Sequence, residues 1–112
     1  MINRHLGLGF ALLALVSGGA YAQGNVEAGR QKSAPCAACH GADGNSPNPQ
    51  FPRLAGQYAD YLMHALNAYK TGERKNAIMA PFAQPLSARD IADLAAYFST
   101  RPNGLYVKTE SR

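Results

Sequence analysis

Two cysteines and a histidine fall within five residues, Cys36-Ala37-Ala38-Cys39-His40, and the 112-residue chain has no other cysteine. That spacing is the one used to attach a c-type haem. Each thiol can add to one of two neighbouring vinyl groups, and the next residue's imidazole then lies under the iron. A chain that obeys it must fold around a flat group tethered to one short segment. Two other chemistries use Cys-x-x-Cys: a thioredoxin-like redox pair wants a βαβ setting, and a zinc site wants further Cys or His ligands. No strand pattern surrounds this motif, and the remaining histidines are His5, close to the N-terminus, and His64, in a helical stretch. A Cys36–Cys39 disulfide would close too short a loop to stabilise the fold much.

The first residues carry an export signal. Arg4 and His5 precede an apolar run from Leu6 to Val16, and Ala20-Tyr21-Ala22 is a small-x-small cleavage site. Residues 1–22 are therefore expected to be a signal peptide cleaved after Ala22, which sends the protein to the periplasm. The apolar run is about half of the roughly 20 residues that span a membrane. What remains, from Gln23, is one small domain of the size that usually leans on a disulfide, a metal or a cofactor. The formal net charge is +4, from 11 Lys and Arg against 7 Asp and Glu, and only Arg4 leaves with the leader. Without a dense Lys/Arg run, this mild basicity argues against nucleic-acid binding. The one cluster, Lys70, Arg74 and Lys75, suits the steering of an acidic redox partner, an effect that weakens with salt.

Three helical stretches are separated by loops rich in Gly, Pro and Asn. The first starts near Asn25, an N-cap with Glu27 in the first turn, and should end before Pro35. Gly29 inside it costs roughly 1 kcal/mol relative to Ala, which a close helix crossing would explain. Residues 41–52 hold Gly44, Pro47, Pro49 and Pro52 and form a wrapping loop. The second helix covers about Tyr58 to Thr71, with Tyr58, Leu62, Leu66 and Tyr69 on one face and Gly72 as its stop. The third opens on Ser87-Ala88-Arg89-Asp90, a capping box with Asp in place of Glu. It continues through Ile91, Leu94, Ala95 and Phe98 to about Ser99. Pro102 and Gly104 break it, so residues 102–112 form a polar tail, of which Leu105 to Arg112 is docked loosely at most.

An iron held by His40 either keeps an open face, suited to small-molecule chemistry, or takes a second protein ligand, suited to electron transfer. The candidates are Met63, His64 and Met79. Met63 and His64 sit on the second helix beside its apolar stripe, where packing or solvent accounts for them. Met79 lies in a stretch expected to be non-helical, Ile78-Met79-Ala80-Pro81, from which a thioether can project. A thioether favours iron(II) and raises the reduction potential, as a carrier accepting electrons from a quinol-oxidising enzyme requires.

Taken in order, Cys36-Ala37-Ala38-Cys39-His40-Gly41, Phe51-Pro52-Arg53-Leu54-Ala55-Gly56-Gln57, Ile78-Met79-Ala80-Pro81, Leu86-Ser87 and Asp93-Leu94-Ala95-Ala96-Tyr97-Phe98 resemble a class I cytochrome c. They are similar to the small bacterial monohaem cytochromes and to one half of the dihaem periplasmic ones, over about residues 25–100. The resemblance implies an all-α fold, three main helices around one covalent haem c, with the domain at residues 23–101. It implies that the first and last helices cross at Gly29 against the face of Leu94 and Tyr97. It also implies that the Pro52 carbonyl accepts a hydrogen bond from His40 Nδ1–H, although Pro52 also serves simply to stiffen a loop. Leu54, Leu86 and Phe98 would then line the haem crevice. The chain stops twelve residues after Thr100, so a single haem is expected.

The function expected is a periplasmic electron carrier, not an enzyme, with His40 and Met79 as axial ligands and Cys36 and Cys39 as thioether tethers. Its donor would be a quinol–cytochrome c reductase or a dehydrogenase, and its acceptor a terminal oxidase or reductase. The alternatives are a haem-bearing subunit of a periplasmic dehydrogenase complex and a gas-binding protein with an open sixth position, against which Met79 argues.

Overall fold

The N-cap at Asn25 starts the chain as expected, its side chain accepting the Ala28 N–H at 2.8 Å. The computed structural model describes residues 23–104, so the expected signal peptide and the tail from residue 105 lie outside the described residues. The helices are α1 Val26–Lys32, α2 Ala34–His40, α3 Ala59–Thr71, α4 Ala80–Ala83 and α5 Ala88–Ser99, and the described residues contain no strand. The three main helices expected are present as α1, α3 and α5.

The first helix ends before Pro35, as expected, and Pro35 opens a second short helix that was not expected. A proline has no N–H for the helix ladder but fits the first turn of a new helix. Accordingly α1 ends at Lys32, Ser33 turns the chain with its hydroxyl on the Arg30 carbonyl (2.8 Å), and α2 starts with Pro35 in its first turn. The Cys36–His40 motif is therefore helical, and its five residues form most of α2.

Tyr58 is the N-cap of α3 and stands 78% exposed, so it does not belong to the apolar stripe. A cap residue lies outside the helical register, and its side chain need not share the helix face. Leu62 is buried, Leu66 and Tyr69 are half-buried, and Gly72 ends the helix with its N–H on the Tyr69 carbonyl. Of the stretch expected to be non-helical, Ile78 and Met79 stay outside a helix, Met79 as the N-cap of α4 (φ −78°, ψ −30°), whereas Ala80 and Pro81 form that helix's first turn.

The capping box of α5 forms as its sequence requires. Ser87 Oγ accepts the Asp90 N–H at 3.0 Å, and Asp90 Oδ2 accepts the Ser87 N–H at 2.9 Å. Ile91, Leu94, Ala95 and Phe98 are each at most 3% exposed, and α5 is the spine on which α1 and α3 pack. The crossing with α1 is close because Gly29 lacks a side chain. A Cβ there would lie 2.0 Å from the Asp93 carbonyl oxygen and 2.7 Å from Tyr97 Cβ. The approach is thus to Asp93 and Tyr97.

The same crossing buries the Asp93 carboxylate. It accepts the Asn25 N–H (2.7 Å) and Lys32 Nζ (2.7 Å), and Arg89 Nε lies 3.2 Å away. A buried carboxylate is tolerated only with such partners. The N–H of Asn25, followed by Lys32 and Arg89, holds its pKa below the ordinary range. The start of the expected tail is also tied down: Asn45 Nδ2 donates to the Pro102 carbonyl (2.9 Å) and Arg53 Nη1 to that of Asn103 (3.0 Å).

Candidate cofactor site

α2 ends in His40, and the chain leaves it through Gly41 into the wrapping loop. That loop folds back because Gly44 (φ +81°) lets its carbonyl accept both the Leu54 and Ala55 N–H groups (2.9 and 3.2 Å). A Cβ on Gly44 would lie 2.8 Å from the Ala55 nitrogen and from Phe98 Cδ1, so the loop lies directly against α5. This return brings Pro52 under His40. The His40 imidazole is 6% exposed, and its Nδ1 lies 2.7 Å from the Pro52 carbonyl oxygen. Only an N–H can donate to that carbonyl, so the bond places a proton on Nδ1, and in the neutral imidazole the Nε2 lone pair is then left free. Phe51 packs edge-on to the ring, with centroids 6.4 Å apart.

His40 faces a cleft of about 280 Å³. Cys36, Cys39, Pro52, Leu54, Phe98 and Met79 line it with His40. Leu86 lines an adjoining cavity of about 190 Å³, which Cys36 and Met79 also touch. The other two ligand candidates stay away. Met63 packs against the core of Leu62, Leu94 and Phe98, and His64 is exposed on α3.

Met79 is aimed by Asn76, a residue the sequence reading passed over. Asn76 Oδ1 accepts the N–H groups of Ile78 (2.9 Å) and Met79 (3.0 Å), and its carbonyl accepts that of Ala80 (3.0 Å). Asn three residues before Met79 and five before Pro81 is a turn signal that could have found it. Tyr61, Ile78 and Phe82, which are 47%, 58% and 46% exposed, mark the mouth of the cleft. Nothing in the spacing pointed to Tyr61, which lies off the stripe of Leu62 and Leu66.

The two rival chemistries find little support. Burial pushes the Cys36 thiol pKa up, whereas a nucleophilic redox cysteine needs it lowered. Among the described residues no group of three or more His, Cys, Asp or Glu is placed to hold a bare metal ion. Both thiols are free.

Charge is divided between the two sides of the domain. On the α1–α5 side, Glu27, Asp90 and Asp93 are paired with Arg30, Lys32 and Arg89. Arg53 and Arg74 line the cleft and form no ion pair among the described residues. Of the expected basic cluster, Lys70 donates to the Leu86 carbonyl and Arg74 stacks on the Tyr69 ring at 4.8 Å, while Lys75 is exposed.

Comparison with known proteins places this geometry. Cytochrome c-554(548) of Halomonas halodenitrificans is 48% identical over 81 residues, which are 70% of this chain and 98% of the relative. The reduced recombinant cytochrome c4 of Pseudomonas stutzeri superposes with a TM-score of 0.70 at 45% identity, over 73% of this chain and 48% of that one. Thiosulfate dehydrogenase from Marichromatium purpuratum superposes with a TM-score of 0.68 at 36% identity, over 72% of this chain and 20% of that one. The chain spans about half the length of the cytochromes c4 it matches. The family model for cytochrome c covers residues 26–101, the stretch that carries every wall of the cleft, and the chain belongs to the cytochrome c family.

Proposed function

We propose that the chain is a monohaem c-type cytochrome that carries single electrons between respiratory partners in the periplasm and is not itself an enzyme. The observation that carries this is the meeting, on one cleft, of Cys36, Cys39 and His40 from α2 with Met79 from the start of α4. The residues present fit a haem. The thiols are unpaired, the surrounding walls include Leu54, Leu62 and Phe98, and the His40 hydrogen bond to Pro52 leaves Nε2 for iron. A haem bound here supplies a one-electron iron couple. Cys36 and Cys39 would hold it as thioethers, and His40 and Met79 as axial ligands. The Pro52 carbonyl would orient the imidazole and strengthen it as a donor. Leu54 and Phe98, with Leu86 in the adjoining cavity, would keep water from the iron. Arg53 and Arg74 would meet carboxylates at the rim.

The partners are other redox proteins: a quinol–cytochrome c reductase or a dehydrogenase as donor, and a terminal oxidase or reductase as acceptor. The unpaired Arg74 and the exposed Lys75 beside the cleft favour an acidic docking face. A second role, as the haem-bearing subunit of a periplasmic dehydrogenase complex, is favoured by the exposed apolar residues at the mouth and by the likeness to thiosulfate dehydrogenase. The native mass of the protein isolated from periplasm separates a free carrier from a subunit.

The test is an optical spectrum of the purified protein with and without carbon monoxide. A low-spin spectrum unchanged by carbon monoxide is expected, with a Met-to-iron charge-transfer band in the oxidised form. High-spin iron that binds carbon monoxide would remove Met79 from the ligand set, and a colourless protein would remove the whole assignment.

A further inference from the structure

The Pro52 carbonyl that faces His40 belongs to a stretch with unusually little main-chain support. Phe51 donates its N–H to Asn48 and Leu54 donates to Gly44, but Pro52 has no N–H, and the Arg53 N–H makes no main-chain bond among the described residues. A carbonyl aimed at a buried imidazole must be held by something else. On the solvent side that hold is the Arg53 side chain. Its Nη1 donates both to Asn45 Oδ1 (3.1 Å) and to the Asn103 carbonyl (3.0 Å). Asn45 is in turn fixed at three points: its Nδ2 donates to the Pro102 carbonyl and to Asp43 Oδ2 (both 2.9 Å), and its own N–H to Asp43 Oδ1 (3.0 Å). The latch thus joins the start of the wrapping loop, its Pro52–Arg53 return and the chain just beyond α5. Pro102 and Asn103 lie outside the stretch that the family model matches.

We infer that Asn45 and Arg53 are positioning residues for the proximal imidazole: with the strap at residues 102–103, they hold the Pro52 carbonyl against His40 Nδ1–H and so set the donor strength of the ligand. This rests on the assignment of His40 as an iron ligand. The sign follows from the chemistry. A firm Nδ1–H bond makes the imidazole more basic, and a more basic imidazole favours iron(III) and lowers the reduction potential. Loosening the latch therefore raises the potential. Loss of the Arg53 charge alone would lower it, because a nearby cation favours the reduced, less positive state. The two contributions have opposite signs and can be told apart.

The experiment uses the full haem-loaded chain and three variants, Asn45→Ala, Arg53→Lys and Arg53→Gln, with the midpoint potential measured by spectroelectrochemistry. Solvent exchange of the His40 Nδ1 proton is followed by NMR in the reduced state. Asn45→Ala keeps every charge, and Arg53→Lys keeps the cation on a stem one bond shorter, which draws its nitrogen back from the two acceptors that Arg53 Nη1 serves together. Both are expected to raise the potential and to speed exchange of the Nδ1 proton while the spectrum stays low-spin. The rise should stay below a tenfold change in the redox equilibrium, ~59 mV for one electron. Arg53→Gln should fall below Arg53→Lys by the charge contribution. If Asn45→Ala and Arg53→Lys melt at lower temperature with unchanged potential and unchanged proton exchange, the latch is structural only and the inference is overturned. If Arg53→Lys alone retains the wild-type potential, Arg53 acts through charge, which also overturns it. A failure of the ligand assignment itself shows earlier, as high-spin or absent iron in the unsubstituted protein.

Discussion

Replacing Gly29 by Ala tests whether the α1–α5 crossing is as close as the structure has it. The new Cβ would lie 2.0 Å from the Asp93 carbonyl oxygen, 2.6 Å from its carbonyl carbon and 2.7 Å from Tyr97 Cβ. Since such contacts are not seen below 3.0 Å, the helices must separate by at least about 1 Å. The obstructing atoms are helix backbone, which cannot rotate aside. Overpacking of this kind costs ~1–3 kcal/mol, and the upper end applies because the whole α1 helix must shift. The shift also draws Asn25 and Lys32 away from the buried Asp93. Against this, Ala is the better helix former by about 1 kcal/mol. The net loss is then roughly 2 kcal/mol, which for a domain of this size lowers the melting temperature by about 8–16 °C. The assay is thermal denaturation of the haem-loaded protein followed by far-UV circular dichroism. A surface glycine behaves in the opposite way, so an unchanged or raised melting temperature in Gly29→Ala would refute the close crossing.

Met79→Ala should lower the potential and let the reduced protein bind carbon monoxide, whereas Met63→Ala, which truncates a half-buried side chain packed against the core, should lower stability by ~1 kcal/mol and leave the iron closed. Carbon monoxide difference spectra of the two variants decide it, and binding by Met63→Ala alone would exchange the roles. In the Cys36→Ser/Cys39→Ser double variant, covalent haem should vanish from a denaturing gel stained for haem; a stained band at the chain's own mass would contradict the tethering. Asp93 and Asp90 both have folded-state pKa values held low, Asp93 by the Asn25 N–H and then Lys32, Asp90 by Lys32 and then the Ser87 N–H. A lowered carboxylate contributes stability that is fully present above the unfolded value, about 3.9, and is lost as pH falls through the folded one. Chemical denaturation of wild type and Asp93→Asn at a series of pH values should therefore show a shallower loss below about pH 4 in the variant, and parallel curves would dismiss the Asp93 contribution.

The residues whose behaviour is set by near neighbours were legible from the chain alone. The Ser87–Asp90 capping box, the Asn25 cap and the Gly72 stop each depend on atoms a few bonds away, and each forms where its pattern lies. The errors occurred where local rules left two outcomes open. The first helix stops before Pro35 as its pattern requires, but the same proline also opens α2, which no local pattern announced. Tyr58 matched a helical stripe but sits one position ahead of the helix, and Ala80 and Pro81 enter α4 because Asn76 turns the chain into it. Nor does any local signal announce that Asn45 and Arg53 bond to Pro102 and Asn103.

By itself the sequence determined the chemistry this chain can offer, two thiols and an imidazole at haem-attachment spacing and a methionine downstream, because covalent spacing and side-chain type are local properties. Tertiary structure alone decided how Met79 is turned onto the cleft, how closely α1 meets α5, and what holds the Pro52 carbonyl under His40. Those depend on contacts between residues far apart in the chain, as far as 68 positions for Asn25 and Asp93, whose energies exist only once the whole domain has packed.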